Sequence, residues 1–138
     1  MPHGGSRWLF VYGTLMEGEC RHQLLVPAGI LTITAASAPG VLFHLGEYPG
    51  MTPSDDGSRR VVGELIEFGD LDRILDRLDD EEGSEYERRL IRLTLADGST
   101  QYAWSYILAE TPAASPVIES GNWRAYNRKD ASAQIGPK

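Results

Sequence analysis

One stretch of the sequence has the periodicity of an amphipathic helix, and it limits the folds that the chain can adopt. Its apolar positions share one helical face, and they are Leu71, Ile74, Leu75 and Leu78. Asp70 is placed to cap the N-terminus, and Gly83 suits the left-handed position just past the C-terminus. We therefore predict one main helix over residues 70–82.

Most of the remaining chain has the apolar patterning of strands. We predict strands over residues 8–12, 30–36, 41–45, 60–68, 86–95 and 101–108. Between them, residues 38–40 predict a turn, residues 46–58 a long loop, and Asp97-Gly98 a hairpin. A short helical segment is expected within residues 16–25, ending before Pro27. Together these elements indicate a mixed α+β domain with a strongly curved sheet or small barrel.

Length and charge narrow the class of protein. The 138 residues suit a single domain, with a core over about residues 7–126 and a disordered polar tail after Lys129. The net charge of −7 argues against nucleic-acid or membrane-surface partners, because both require a basic patch. Cys20 is the only cysteine, which excludes an internal disulfide. Without a membrane span or a secretion signal, we expect a cytoplasmic protein.

The first apolar run ends at a corner with the composition of an anion-binding turn. The strand stops at Gly13, where the absence of a side chain permits unusual backbone angles and lets a ligand approach the main chain. Thr14 adds a hydroxyl and an amide, and successive backbone amides can cradle a small anion. Most corners of this kind are turns only, so the residues alone leave both interpretations open.

One carboxylate at the acidic end of the helix is aimed at the core. Extending the apolar stripe one turn past Leu78 reaches Glu82. Glu81 falls at the edge of this face, and Asp79 and Asp80 point away from it. Burial, the helix dipole and the neighbouring acids should raise the pKa of Glu82, as a general acid or base near neutral pH requires. A frayed helix end with Glu82 in water explains the sequence equally well.

Other reactive side chains have weaker patterns. His3, His22 and His44 lack metal-ligand spacing, so we predict no metal site. Cys20 is expected to be an inert thiol despite the nearby histidine. Tyr106 can place its hydroxyl in a cavity, although a tyrosine of a strand is more often a core residue.

Six short motifs occur in order between about residue 8 and residue 124. They are Val11-Tyr12-Gly13-Thr14-Leu15 with Gly18, Tyr48-Pro49, Val62-Gly63-Glu64-Leu65, Leu78-Asp79-Asp80-Glu81-Glu82-Gly83 with Tyr86 and Arg88, Ala103-Trp104-Ser105-Tyr106, and Ile118-Glu119-Ser120-Gly121-Asn122-Trp123. Each is weak alone, but the ordered set is hard to obtain by chance. The set resembles the γ-glutamylcyclotransferase-like family, which includes the γ-glutamylamine cyclotransferases.

The resemblance implies a small mixed β-barrel with one main helix, short flanking helices and a cavity at one mouth. It also implies that Glu82 is the catalytic glutamate, and Glu81 is the alternative if the alignment is off by one. The backbone amides of the corner would bind the carboxylate end of a γ-glutamyl group, and these are the amides of Tyr12, Gly13, Thr14 and Leu15. Tyr48 and Tyr106 are the further residues expected to contact the substrate. Met16-Glu17 departs from relatives with a basic residue after the corner, so the resemblance does not specify how the substrate's outer end is held.

The reaction implied by the resemblance is intramolecular. The α-amine of a γ-glutamyl compound attacks its own γ-carbonyl, which releases 5-oxoproline and a free amine or amino acid. One carboxyl, Glu82, can serve as base and then as acid, and no metal, nucleotide or flavin is required. The alternatives are a non-catalytic small-molecule binding protein that keeps the cavity, and a pathway-specific relative that unmasks a γ-glutamylated metabolite.

Overall fold

The computed structural model describes residues 7–54 and 57–127, and these include six strands and the α-helix α1, with a further helical stretch at residues 123–127. In chain order they are β1 (Trp8–Val11), β2 (Ile30–His44), β3 (Pro49–Pro53), β4 (Arg60–Phe68), α1 (Asp72–Glu82), β5 (Tyr86–Leu95) and β6 (Thr100–Leu108). A 3-10 helix, His22–Ala28, precedes β2. The predicted disordered tail lies outside the described residues, and no described helix has the length and apolarity that a membrane span requires.

Five strands close into a barrel. They follow the order β2-β4-β1-β6-β5, and β5 returns to β2 by pairing Leu95 with Ala36 and Thr94 with Ser37. The β1–β6 pair is parallel and the other pairs are antiparallel, so the barrel is mixed. β3 lies beside the ring, paired with the end of β2. The predicted α+β fold with a small mixed barrel is therefore confirmed.

The predicted helical stripe packs against the barrel. Ile74, Leu75 and Leu78 of α1 are buried, and they join one core with side chains of β1, β4 and β6. Burial of a leucine or isoleucine side chain contributes about 1.5–3 kcal/mol, so this face fixes α1 firmly. Later in the chain, Ile118 and Trp123 lie back on the same core.

β2 continues through residues 38–40, so the predicted turn there is wrong. Ala38 and Pro39 pair with β4, and from Gly40 onward the strand pairs with β3 instead. A Cβ on Gly40 would lie 2.7 Å from Met51 Cε. Proline and glycine therefore mark a change of partner strand and a close approach rather than a reversal of the chain.

The predicted loop over residues 46–58 contains β3, so the prediction is wrong for Pro49–Pro53. Two prolines and a glycine hide this strand, because they lack the apolar alternation that predicts one. Backbone pairing to β2 on one side holds it. As a result, the segment next to Tyr48 is fixed against the barrel.

The helix ends differ from their predicted forms. Leu71, not Asp70, precedes the first helical residue of α1, and no side chain caps it. Gly83 has the positive φ expected after the helix, +80°, but its ψ of −173° is extended rather than helical. The 3-10 helix contains Pro27 instead of ending before it.

Candidate active site

A cavity of about 180 Å³ opens where the chain leaves β1 and where α1 ends. The structure brings all the predicted site residues to its walls, and they are Tyr12, Gly13, Thr14, Leu15, Tyr48, Glu82 and Tyr106. They come from four separate segments of the chain. Arg21, Glu81, Glu85 and Tyr86 line the same cavity.

The corner after β1 supplies main-chain donors to the cavity. Gly13 accepts a backbone hydrogen bond from Met16 at 3.1 Å, which closes a tight turn. The backbone amides of Thr14 and Leu15 donate no hydrogen bond to any acceptor within residues 7–54 and 57–127. Both residues are buried, and buried amides without acceptors are rare in folded proteins. The corner therefore favours a ligand that brings an acceptor of its own.

Gly13 is required by space rather than by its backbone angles. Its φ is not positive, contrary to the expectation of an unusual conformation. A Cβ at this position would lie 2.6 Å from Pro49 Cγ and 2.8 Å from Pro49 Cδ. We predicted that Gly13 lets a ligand approach the main chain closely. In the structure, Pro49 at the start of β3 makes a close approach of this kind.

Glu82 lies inside the cavity in contact with Arg21. Its side chain is 10% exposed, and its Oε2 is 2.8 Å from Nη2 of Arg21. The two atoms are buried, and at this separation the opposite charges form an ion pair.

Burial is the largest influence on Glu82 and raises the pKa of its carboxyl group. The guanidinium of Arg21 opposes this by favouring the carboxylate, whereas the negative charges of Glu81 and Glu85 raise the pKa further. The net direction is upward. The pKa of Glu82 is therefore shifted in the direction that favours general acid–base chemistry.

Arg21 and Glu85 are charged residues of the cavity that the sequence analysis did not single out. Nη1 of Arg21 is 3.4 Å from the Thr14 hydroxyl, and the Arg21 backbone amide donates to the Thr14 carbonyl at 2.8 Å. The guanidinium thus lies between the corner and Glu82. The only signal in the sequence was an arginine in the short helical segment after the corner, which is too common to single out.

The hydroxyl of Tyr12 holds three strands together. It donates to the Tyr106 carbonyl at 2.6 Å and accepts from the Met51 amide at 3.1 Å. Burial raises the pKa of Tyr12 well above the usual range of a phenol. The neutral side chain of Tyr12 therefore links β6 to β3 by hydrogen bonds. Only the main chain of Tyr12 remains available to a ligand.

Tyr106 points its hydroxyl at the helix end. It donates to Asp79 Oδ1 at 2.7 Å, and Arg88 donates to the two oxygens of Asp79 at 2.9 and 3.2 Å. Arg88 lowers the pKa of Asp79 and lies over the Trp104 ring, 4.5 Å from its centre. Asp79 lies off the apolar face of α1, yet Arg88 and Tyr106 both reach its carboxylate. Its carboxylate fixes the last turn of α1, and with it Glu82, to β5 and β6.

The segment after the corner is fixed by charge as well. Glu64 Oε1 accepts from the Glu17 amide at 2.7 Å, and Arg124 Nε is 3.1 Å from Glu19 Oε2. Arg124 also donates to the Glu17 carbonyl. Glu17, which stands where relatives were expected to be basic, therefore takes part in a structural network through its main chain.

Residues 9–125 match the sequence model of a family described as gamma-glutamyl cyclotransferase, AIG2-like. The chain belongs to this family. It is 35% identical over 117 residues to a Vibrio cholerae protein provisionally named a gamma-glutamylcyclotransferase, covering 83% of this chain and 93% of that one. It is 30% identical over 132 residues to the gamma-L-glutamyl-butirosin B gamma-glutamyl cyclotransferase of Niallia circulans, covering 90% of this chain and 80% of that one.

Solved structures of similar proteins agree with the assignment of the chain to this family. YkqA of Bacillus subtilis superposes with a TM-score of 0.72 at 26% identity, covering 91% of this chain, which spans 42% of YkqA. A mouse AIG2-like protein superposes with a TM-score of 0.68 at 23% identity, covering 84% of this chain and 88% of that one. The second likeness concerns the fold alone. The predicted membership in the γ-glutamylcyclotransferase family, and its class of enzyme, are confirmed.

Proposed function

We propose that the protein cyclises a γ-glutamyl amine or amino acid to 5-oxoproline, with Glu82 as the general acid–base. The observation that carries this proposal is the position of a buried carboxylate on the wall of a cavity that also contains backbone amides without acceptors in the described part of the chain. The backbone amides can bind the anionic end of the substrate, and the carboxylate can transfer protons. No described group of side chains could hold a metal ion, and the reaction needs none.

The corner and Arg21 together would bind the α-carboxylate of the substrate. The amides of Thr14 and Leu15 lack acceptors among the described residues, and a carboxylate supplies two acceptor oxygens. Arg21 lies within 3.4 Å of the Thr14 hydroxyl, so its guanidinium can reach an anion at the corner. Binding the substrate folded against these groups prepares the amine for attack, which lowers the entropic part of the barrier.

Glu82 would then move the protons. Its carboxylate takes a proton from the α-ammonium, and the freed amine attacks the γ-carbonyl carbon to form the ring C–N bond. The C–N bond to the leaving group breaks as Glu82 delivers the proton to the leaving nitrogen. The ring nitrogen loses its second proton to the released amine, which departs as an ammonium ion. Glu82 ends the cycle ionised, as it began.

The pH dependence of the reaction is a testable consequence. We expect kcat/KM for γ-glutamyl methylamide, a neutral substrate, to rise with pH through a midpoint above 4.5, the ordinary value for a glutamate. The reason is that Glu82 must be ionised to accept a proton, and burial raises its pKa. The measurement is 5-oxoproline release, quantified by chromatography from about pH 4 to about pH 8.

Two outcomes would count against the proposal. If calorimetry detects binding of γ-glutamyl methylamide but no 5-oxoproline forms at any pH, the protein is a binding protein. If 5-oxoproline forms with a midpoint at or below 4.5, the cyclisation is real but Glu82, whose pKa is raised, is not its base.

A further inference from the structure

We propose that His22 is a positioning residue, which holds the corner after β1 in the conformation that binds the α-carboxylate of the substrate. This inference rests on the proposed function and concerns the same site. Neither its spacing from other histidines nor its proximity to Cys20 predicted a role for His22. Its role follows instead from the hydrogen bonds that the corner accepts.

The ring of His22 contacts the corner from outside the cavity. His22 is the first residue of the 3-10 helix and is half-buried. Its Nδ1 lies 2.9 Å from the carbonyl oxygen of Leu15. A carbonyl oxygen can only accept a hydrogen bond, so Nδ1 carries the proton and donates. His22 does not line the cavity, so it acts on the backbone of the corner rather than on the substrate.

The three successive carbonyl groups of the corner, from Gly13 to Leu15, all accept hydrogen bonds. The first two accept from backbone amides, at 3.1 Å for Gly13 and 2.8 Å for Thr14. The third, Leu15, accepts from the ring of His22. Of these three bonds, the one from His22 is made by a side chain, so it is the one that a substitution can remove.

Two peptide units connect the ring of His22 to the amide of Thr14. The Leu15 carbonyl shares a planar unit with the Met16 amide, and this amide donates to the Gly13 carbonyl. The Gly13 carbonyl in turn shares a planar unit with the Thr14 amide, which lacks an acceptor in the described part of the chain. Hydrogen bonds in a chain polarise and strengthen one another. The bond from His22 therefore orients the Thr14 amide and makes it a better donor to a carboxylate.

His22→Leu removes the donor and keeps a branched side chain. We expect this variant to raise KM for γ-glutamyl methylamide by roughly 2- to 10-fold, the net value of one hydrogen bond, with kcat near that of the wild type. The two parameters separate because the corner binds the carboxylate equally in the ground state and the transition state. His22→Asn, whose side-chain amide nitrogen can take the place of Nδ1, should keep the KM of the wild type.

A substrate without the α-carboxylate separates positioning from support of the fold. The compound 4-aminobutyryl methylamide offers no carboxylate to the Thr14 amide, so His22→Leu and the wild type should have the same kcat/KM for it. Gln23→Leu is the matched control, because Gln23 is an exposed residue of the same 3-10 helix and does not line the cavity. This control should keep the KM of the wild type for γ-glutamyl methylamide.

Three results would overturn the positioning role alone: an unchanged KM in His22→Leu, an equal loss on both compounds, or no recovery in His22→Asn. If the wild type binds γ-glutamyl methylamide in calorimetry but releases no 5-oxoproline, the proposed function is wrong. The calorimetric affinities of the same variants then test His22. Weaker binding of γ-glutamyl methylamide by His22→Leu, with the affinity for 4-aminobutyryl methylamide unchanged, would support its role, and equal affinities in variant and wild type would overturn it.

Discussion

Glu82→Gln is expected to lower kcat for 5-oxoproline release by about 10²–10⁴-fold, the usual contribution of general acid–base catalysis. The amide has nearly the size of the carboxylate but cannot take a proton from the α-ammonium or return one to the leaving nitrogen. Because glutamine has nearly the same shape and the Arg21 side chain left without its partner is 30% exposed to water, the barrel should stay folded. The measurements are single-turnover release of 5-oxoproline, thermal unfolding, and calorimetric affinity for γ-glutamyl methylamide.

The matched control for this variant is Asp80→Asn. Asp80 lies on the same helix, is exposed and does not line the cavity, so its loss of charge should leave turnover near that of the wild type. Full activity of Glu82→Gln would remove Glu82 from the mechanism. A comparable loss in Glu81→Gln with the neutral substrate, in place of the loss in Glu82→Gln, would instead assign the proton transfer to Glu81.

Arg21→Met is expected to raise KM for γ-glutamyl methylamide by roughly 10- to 150-fold, the value of a hydrogen bond between charged groups. The same variant should move the acid limb of the pH profile to higher pH, because the guanidinium lowers the pKa of Glu82 in the wild type. A purely structural defect would lower kcat without moving this limb. Steady-state kinetics across the pH range measures both effects.

Two comparisons isolate the role of Arg21. Arg59→Met removes an exposed arginine that pairs with Glu119 at 2.7 Å outside the cavity, and it should behave like the wild type. A substrate without the α-carboxylate, 4-aminobutyryl methylamide, has no anion for Arg21 to bind. Arg21→Met should therefore handle this compound about as well as the wild type does. An equal penalty on both substrates would show that Arg21 does not act through the carboxylate.

Hydrophobic periodicity and turn residues correctly predicted those elements whose conformation depends mainly on their own sequence. The stripe of α1, the strand Arg60–Phe68 and the Asp97-Gly98 hairpin are as predicted. The turn at residues 38–40 was wrong because a change of partner strand, not local conformation, decides that stretch. β3 was missed for a similar reason, since its pairing with β2 outweighs its two prolines.

In the candidate site, too, some features follow from the local sequence and others depend on contacts between distant segments. The position of Glu82 follows from extending a helical period by one turn, so the sequence was enough to point to it. The contact of Arg21 with Glu82 joins two distant segments, and no spacing along the chain signals it. Asp79 lies off the apolar face of α1, yet Arg88 and Tyr106 reach it from two strands. Such contacts depend on how the barrel closes.

The most direct test is a crystal structure of Glu82→Gln with γ-glutamyl methylamide, which this variant should bind but not cyclise. We expect the α-carboxylate to accept hydrogen bonds from the amides of Thr14 and Leu15 and to contact Arg21. The α-amine should then face the side chain at position 82, within reach of the γ-carbonyl carbon. A ligand bound with its carboxylate away from the corner, or with its amine turned away from position 82, would contradict the proposed function of the site.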